Sequence, residues 1–150
     1  MDGIDESLLA ALQDNARHTY RELGAVAGVS ASTALERVRA MERRGLIRGY
    51  RAEVDLAAAG RPVQALVAVR VRPPHRPVIE EFRDWAVRLP EVVGVFVLTG
   101  GDDFLLHVAV ADTDGLYGLV IDRLTRRREV ADVRTSIVFE HVPTGPRTPG

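Results

Sequence analysis

Residues 19–45 read TYRELGAVAGVSASTALERVRAMERRG, and this stretch decides the fold of the N-terminal part of the chain. Thr19 has a helix-capping side chain, and Glu22, three residues later, completes the capping-box spacing. Leu23, Val26 and Ala27 form an apolar stripe. Gly28 stands at the position where helices end in a left-handed residue, and Val29 is an apolar plug after the turn. Ser30 then caps a further helix. In it Leu35, Val38 and Met41 point inward, while Ser32, Thr33, Glu36, Arg37, Arg39 and Arg43 lie largely on the outer side, as far as Gly45. Two helices joined by a short glycine-containing turn, the second opening on small polar residues and continuing into arginines, make a helix-turn-helix pattern.

Working outward, Ile4–Gln13 carries Ile4, Leu8, Leu9 and Leu12 at helical spacings, with Asp5 and Glu6 near the end where a helix dipole favours acids. Leu46–Asp55 reads as a short extended piece. Ala57–Pro62 marks the boundary between two domains, 1–61 and 62–150. The second domain predicts strand, helix, strand, strand, helix, strand. Leu66–Arg72 alternates Val67, Val69 and Val71 with Ala68, Arg70 and Arg72. Pro77 opens a helix with Ile79, Phe82, Ala86 and Leu89 on one face. Val92–Leu98, the turn Thr99–Asp103 and Phe104–Ala111 form a hairpin. Asp112 or Thr113 caps a helix carrying Leu116, Val120 and Leu124, Thr135–Val142 is the last strand, and Pro143–Gly150 is a frayed tail. The order βαββαβ is the ferredoxin-like layout. The fold class is therefore α+β.

Composition narrows the function classes. The 150 residues carry a net charge of −1, and all 20 basic residues are arginine. Residues 15–61 hold nine arginines against five acids, so the positive excess sits on the helix-turn-helix. Without cysteine there is no disulfide, no Cys-ligated zinc and no Cys nucleophile. The N-terminus is not a signal peptide, and no apolar run approaches the roughly 20 residues that span a bilayer, so a cytoplasmic protein with no membrane partner is expected. There is no P-loop, no Gly-x-Ser-x-Gly and no Rossmann fingerprint, hence no catalytic set and no cofactor site. His18, His75, His107 and His141 are scattered without metal-ligand spacing; His107, within a strand, reads as a satisfied structural histidine, and Trp85 as core or interface.

The chain resembles the Lrp/AsnC, or feast/famine, regulators over about residues 4–142. The likeness runs through Ile4-Asp5, Leu12-Gln13-Asp14, Ala16-Arg17, Glu22-Leu23, Val29-Ser30, Arg37-Val38, Met41-Glu42 and Ile47-Arg48-Gly49-Tyr50. It continues in Leu98-Thr99-Gly100, Asp103-Phe104-Leu105-Leu106 and Arg134-Thr135-Ser136-Ile137-Val138. The resemblance implies a winged-type helix-turn-helix followed by a ligand-sensing and dimerisation domain. It also implies dimers that assemble into octamers, double-stranded DNA with a palindromic operator as partner, and a small-molecule effector, usually an amino acid, bound near the turn between the second and third strands of the sensor. In that turn members commonly read Thr/Ser-Gly-Asp-aromatic-Asp; this chain reads Thr99-Gly100-Gly101-Asp102-Asp103, which leaves the effector open.

On this reading Ser32, Thr33 and Glu36 approach base edges, while Arg37 and Arg39 take phosphates; Ser30 and Arg43 are further DNA-binding candidates. Thr19 and Tyr20 add backbone N–H contacts at the start of their helix. The bland alternative is a solvated face of an ordinary three-helix bundle. In the sensor, Thr99, Gly100, Gly101, Asp102 and Asp103, with the hydroxyls of Thr135 and Ser136, are the effector candidates. The bland alternative there is ordinary Gly-Asp hairpin chemistry. Two further readings stay open: an enzyme on this architecture, since siroheme decarboxylase subunits look like the family, and a nucleoid-organising protein without an effector. The intact recognition-helix pattern favours a DNA-binding regulator that is not an enzyme.

Overall fold

The computed structural model describes residues 1–145, so the last five residues of the expected tail lie outside the described residues. Two compact units result, one from Met1 to Glu53 and one from Val54 to His141. The Ala57–Pro62 stretch opens the second unit, with a turn over Leu56–Gly60.

The first unit is three helices: α1 (Gly3–Asp14), α2 (Tyr20–Ala27) and α3 (Ala31–Arg43). Local chemistry sets nearly every end. Asp2 accepts from the backbone N–H groups of Ile4 and Asp5, capping α1. Thr19 and Glu22 form both halves of the capping box on α2, and Gly28 closes it with φ +69°. Ser30 accepts from Thr33 N–H at 3.1 Å and starts α3. The core is Leu8, Leu12, Leu23, Ala34, Val38 and Met41, with Val29 and Ile47 packed against it. One sequence expectation changes: Ala34, not Leu35, is fully buried, and Leu35 is half-buried. Positions 34, 38 and 41 follow the i, i+4, i+7 stripe, while Leu35 lies a residue's rotation off it. Leu46 and Ile47 instead bend, donating back to Met41 O, and residues 48–53 form no strand, so the short extended piece expected there is not a regular element.

The second unit builds β1 (Val63–Val71), α4 (Arg76–Ala86), β2 (Val92–Val97), β3 (Phe104–Val110), α5 (Thr113–Tyr117, continuing as a π-helical stretch over Gly118–Leu124) and β4 (Val130–Ile137). The sheet order is β2-β3-β1-β4, antiparallel throughout. Val67, Val69 and Val71 are buried on one face, as their alternation predicts, and they meet Phe82, Ala86, Leu119 and Leu124 from the helices. Trp85 joins this core: its ring lies 5.5 Å from Phe82, and the Arg127 guanidinium sits 4.3 Å above it. The last strand lies earlier than its apolar run suggests. It spans Val130–Ile137 rather than Thr135–Val142, because its only partner among the described residues is β1. β1 begins at Val63, and the last bond runs from Val138 N–H to Gln64 O, so Phe139–Val142 find no strand to pair with among the described residues. No helix among the described residues is long and apolar enough to cross a membrane.

Candidate nucleic-acid interface and sensor turn

In the first unit Ser32, Glu36, Arg39 and Arg43 are exposed along one side of α3. The hydroxyls at its start are linked: Ser30 donates to Thr33 Oγ1 at 2.9 Å, and with that hydrogen committed Ser32 donates to Ser30 Oγ at 3.1 Å. Arg39 and Arg43 make no ion pair among the described residues, and their guanidinium groups are open to an external anion.

Two candidates are already engaged. Arg37 Nη1 lies 2.7 Å from Asp2 and 3.3 Å from Asp5 on α1, and Arg44 reaches the other Asp5 oxygen at 3.4 Å. The Asp5 carboxylate is 7% exposed, and it joins α1 to α3. The N–H of Asp5 and the Arg37 guanidinium hold the Asp2 carboxyl below its ordinary range, and Asp2 in turn raises Arg37. Thr19 N–H is also taken, since it donates to Glu22 Oε2 at 2.8 Å, which lowers the Glu22 carboxyl. Of the two N–H groups expected at the start of α2, Tyr20's stays without an intramolecular acceptor among the described residues. Tyr50, in the segment after α3, donates to Glu42 at 2.7 Å; burial and that carboxylate raise its hydroxyl.

In the second unit the Thr99–Asp103 turn docks on the end of β1. Asp103 N–H donates to Val69 O at 3.0 Å, and Val71 N–H, beyond the end of β3, donates to Asp103 Oδ2 at 2.8 Å. Arg134 of β4 pairs with Asp102. Arg70 Nε donates to Gly101 O at 2.8 Å. Arg70 and Arg134 are thus built into the turn, although sequence reasoning had given them no role there; the available signals were that Arg70 lies in the outward set of the β1 alternation and that Arg134 opens the Arg134–Val138 motif. Thr135 and Ser136 are less well placed than expected. They pair with Val67 and Leu66 and, as neighbours on a strand, face opposite sides of the sheet. Ser136 pairs with Leu66, three residues and about 10 Å along β1 from Val69, whose carbonyl the turn meets.

His107 is satisfied: its Nε2 lies 2.8 Å from Gln64 Oε1, and its ring stands edge-on to His141 at 5.6 Å. Burial first, and the His141 charge second, depress its pKa below 6.5. The unfolded chain therefore takes up the proton first as pH falls, so this contribution is whole above about 6.5 and is lost as pH drops through the folded value. The midpoint of second-unit unfolding is expected to fall between pH 7 and pH 5 by more in the parent protein than in His107→Gln. Equal pH dependence of the two would remove His107 as a cause.

Known proteins match both units. The Lrp/AsnC ligand binding domain family matches residues 64–147, and the AsnC-type helix-turn-helix domain matches residues 1–42. The chain is 39% identical over 142 residues, 95% of its own length and 83% of the relative's, to the HTH-type transcriptional regulator AldR of Mycolicibacterium smegmatis. It is 33% identical, over 95% of this chain and 91% of the other, to the leucine-responsive regulatory protein of Rhizobium meliloti. A Neisseria meningitidis transcriptional regulator solved as an L-Met complex superposes with a TM-score of 0.90 at 30% identity, covering 99% of this chain and 96% of that one. Escherichia coli AsnC superposes at 0.88 and 26% identity, covering 99% of each. With a helix-turn-helix in its first unit and a ligand-binding βαββαβ fold in its second, the chain belongs to the Lrp/AsnC family, whose members are transcriptional regulators rather than enzymes.

Proposed function

We propose that the protein is a sequence-specific DNA-binding regulator whose DNA affinity or assembly is modulated by a small effector, an amino acid or a close chemical relative, held at the Thr99–Asp103 turn. The observation that carries the DNA side is the exposed start of α3, where three linked hydroxyls and Glu36 stand beside two arginines without intramolecular partners among the described residues. Ser32, Thr33 and Glu36 read base edges. Arg39 and Arg43 take phosphates, and Tyr20 offers its N–H to the backbone. Arg37 serves this interface by holding α3 on α1 through Asp2 and Asp5. The effector side is supported by the L-Met complex of the Neisseria relative.

A homodimer, assembling further to an octamer, is part of this reading. Leu66, Ala68, Leu105 and Phe96 lie in adjacent register on the sheet face away from the helices; Phe96 is 57% exposed, and the other three are half-buried. A second copy covering that face would supply burial that units this small lack alone. Two recognition helices would then read half-sites about 34 Å apart, or a multiple of it, in a palindromic operator.

The test measures binding to DNA upstream of the protein's own gene and to an unrelated fragment, over a range of salt, with and without each amino acid. Preference for the first fragment, altered by a ligand, is the expected outcome. Arg39→Ala should flatten the slope of log affinity against log salt by about one unit on both fragments alike. Equal affinity for both fragments, unmoved by every ligand, would leave a nucleoid-organising protein.

A further inference from the structure

We infer that the sensor turn is built for an acidic effector: a small dicarboxylic acid, amino or oxo, whose second carboxylate pairs with Arg70. This rests on the reading of the turn as the effector site and names the ligand class it takes.

The charges of the turn are unequally occupied. Asp103 accepts from Val71 N–H, and Asp102 is paired with Arg134. Each of these carboxylates has a protein partner, and the second oxygen of Asp103 stays open to an α-ammonium group. Arg70 is different. One of its donors, Nε, goes to Gly101 O at 2.8 Å and fixes the guanidinium against the turn, while its terminal nitrogens have no acceptor among the described residues. The side chain is half-buried, so the positive charge is held in place rather than dispersed in solvent. A planar guanidinium anchored on one edge presents its other edge to a carboxylate in the bidentate geometry that lysine cannot offer.

The turn itself supplies the second half of the site. Leu98 N–H donates to Asp103 O and Asp103 N–H to Val69 O, but the N–H groups of Thr99, Gly100, Gly101 and Asp102 have no protein acceptor among the described residues. Gly100 has φ +113°, a conformation that side chains resist, and residues 99–101 are exposed. Consecutive exposed amides of this kind favour an anion. One carboxylate on the amides and one on Arg70 define a dicarboxylate.

Gly101 sharpens the inference. A Cβ there would stand 3.9 Å from Arg70 Nη2 and meet no closer atom. An acidic residue at 101 would therefore fit, and it would neutralise the guanidinium. By having glycine there the chain leaves Arg70 available.

The experiment uses the full-length protein and measures dissociation constants by titration calorimetry for L-glutamate, L-aspartate and 2-oxoglutarate, with L-glutamine, L-asparagine, L-leucine and L-methionine as neutral probes. At least one dicarboxylate is expected to bind tenfold or more tightly than its neutral counterpart. Arg70→Gln should erase that ratio, and Gly101→Asp, which leaves Arg70 in the protein, should erase or invert it. A neutral amino acid binding best, with an affinity indifferent to Arg70→Gln, would overturn the acidic effector and preserve the turn as an effector site. No binding by any probe would overturn both.

Discussion

Gly24→Ala is expected to destabilise the first unit by about 2–3 kcal/mol, the upper range of overpacking costs, and to weaken DNA binding in proportion. Propensity alone predicts the opposite sign, since alanine in a helix interior is better than glycine by about 1 kcal/mol. Geometry reverses it. A Cβ at position 24 would lie 2.6 Å from Val29 O and 3.1 Å from both the carbonyl carbon and the oxygen of Ser30. All three are backbone atoms of the turn between α2 and α3, so no side chain can swing aside. The same turn is tied to Gly24 by the bond from Val29 N–H to Gly24 O at 2.9 Å. Relief requires α3 to move on α2, which displaces Ser30 and the exposed start of the recognition helix. Gly3→Ala is the control, because a Cβ there meets nothing within 4 Å. The check is urea unfolding followed by far-ultraviolet circular dichroism. A Gly24→Ala protein as stable as its parent would mean that this close approach does not set the α2–α3 crossing.

Phe82→Ala is expected to cost the second unit about 3–5 kcal/mol, a large share of the total stability of a domain this size. Phe82 is 0% exposed and packs at the centre of the helix-on-sheet layer. Its ring lies 4.5 Å from Phe104 and 5.5 Å from Trp85, both in tilted arrangements. Truncation removes the buried ring, leaves a cavity and breaks two aromatic pairs, each worth about 0.5–1.5 kcal/mol beyond the area buried. Phe82→Leu should cost clearly less, because it fills most of the space. Trp85 is the chain's one tryptophan and touches Phe82, so its fluorescence reports the transition directly. A shift in unfolding midpoint equivalent to less than about 1 kcal/mol would contradict the packing described.

How much of this was legible depends on the distance over which each cause acts. Thr19, Glu22, Gly28 and Ser30 could be assigned before any coordinates, because a cap is a bond between residues three or four apart. The Val67-Val69-Val71 stripe and the Ile79-Phe82-Ala86 face were readable for the same reason: periodicity is a local record of which side faces the core. The edge of the pattern was harder. Ala34 and Leu35 both look apolar, and only the packing of α1 and α2 against α3 decides which is interior. The strand at the end of the chain was placed by its apolar run, but its limits are set by where β1 begins, some 70 residues earlier.

The candidate sites divide in the same way. Sequence determined that a helix-turn-helix precedes a βαββαβ unit, that an excess of arginine over acids falls within residues 15–61, and that a Gly-Gly-Asp-Asp turn joins two strands of the second unit. It also determined which residues are polar at the start of α3. Tertiary structure alone decided which charges remain available. Arg37 and Arg39 are two residues apart in the same arginine-bearing stretch, yet Arg37 is bound by Asp2 and Asp5 and Arg39 by nothing among the described residues. Asp103, an effector candidate by sequence, also accepts from Val71 N–H and ties the turn to β1, while Arg70 stands ready in the turn. The physical reason is that an ion pair depends on atoms meeting within about 4 Å, and chain segments more than 30 residues apart meet only once the core has folded.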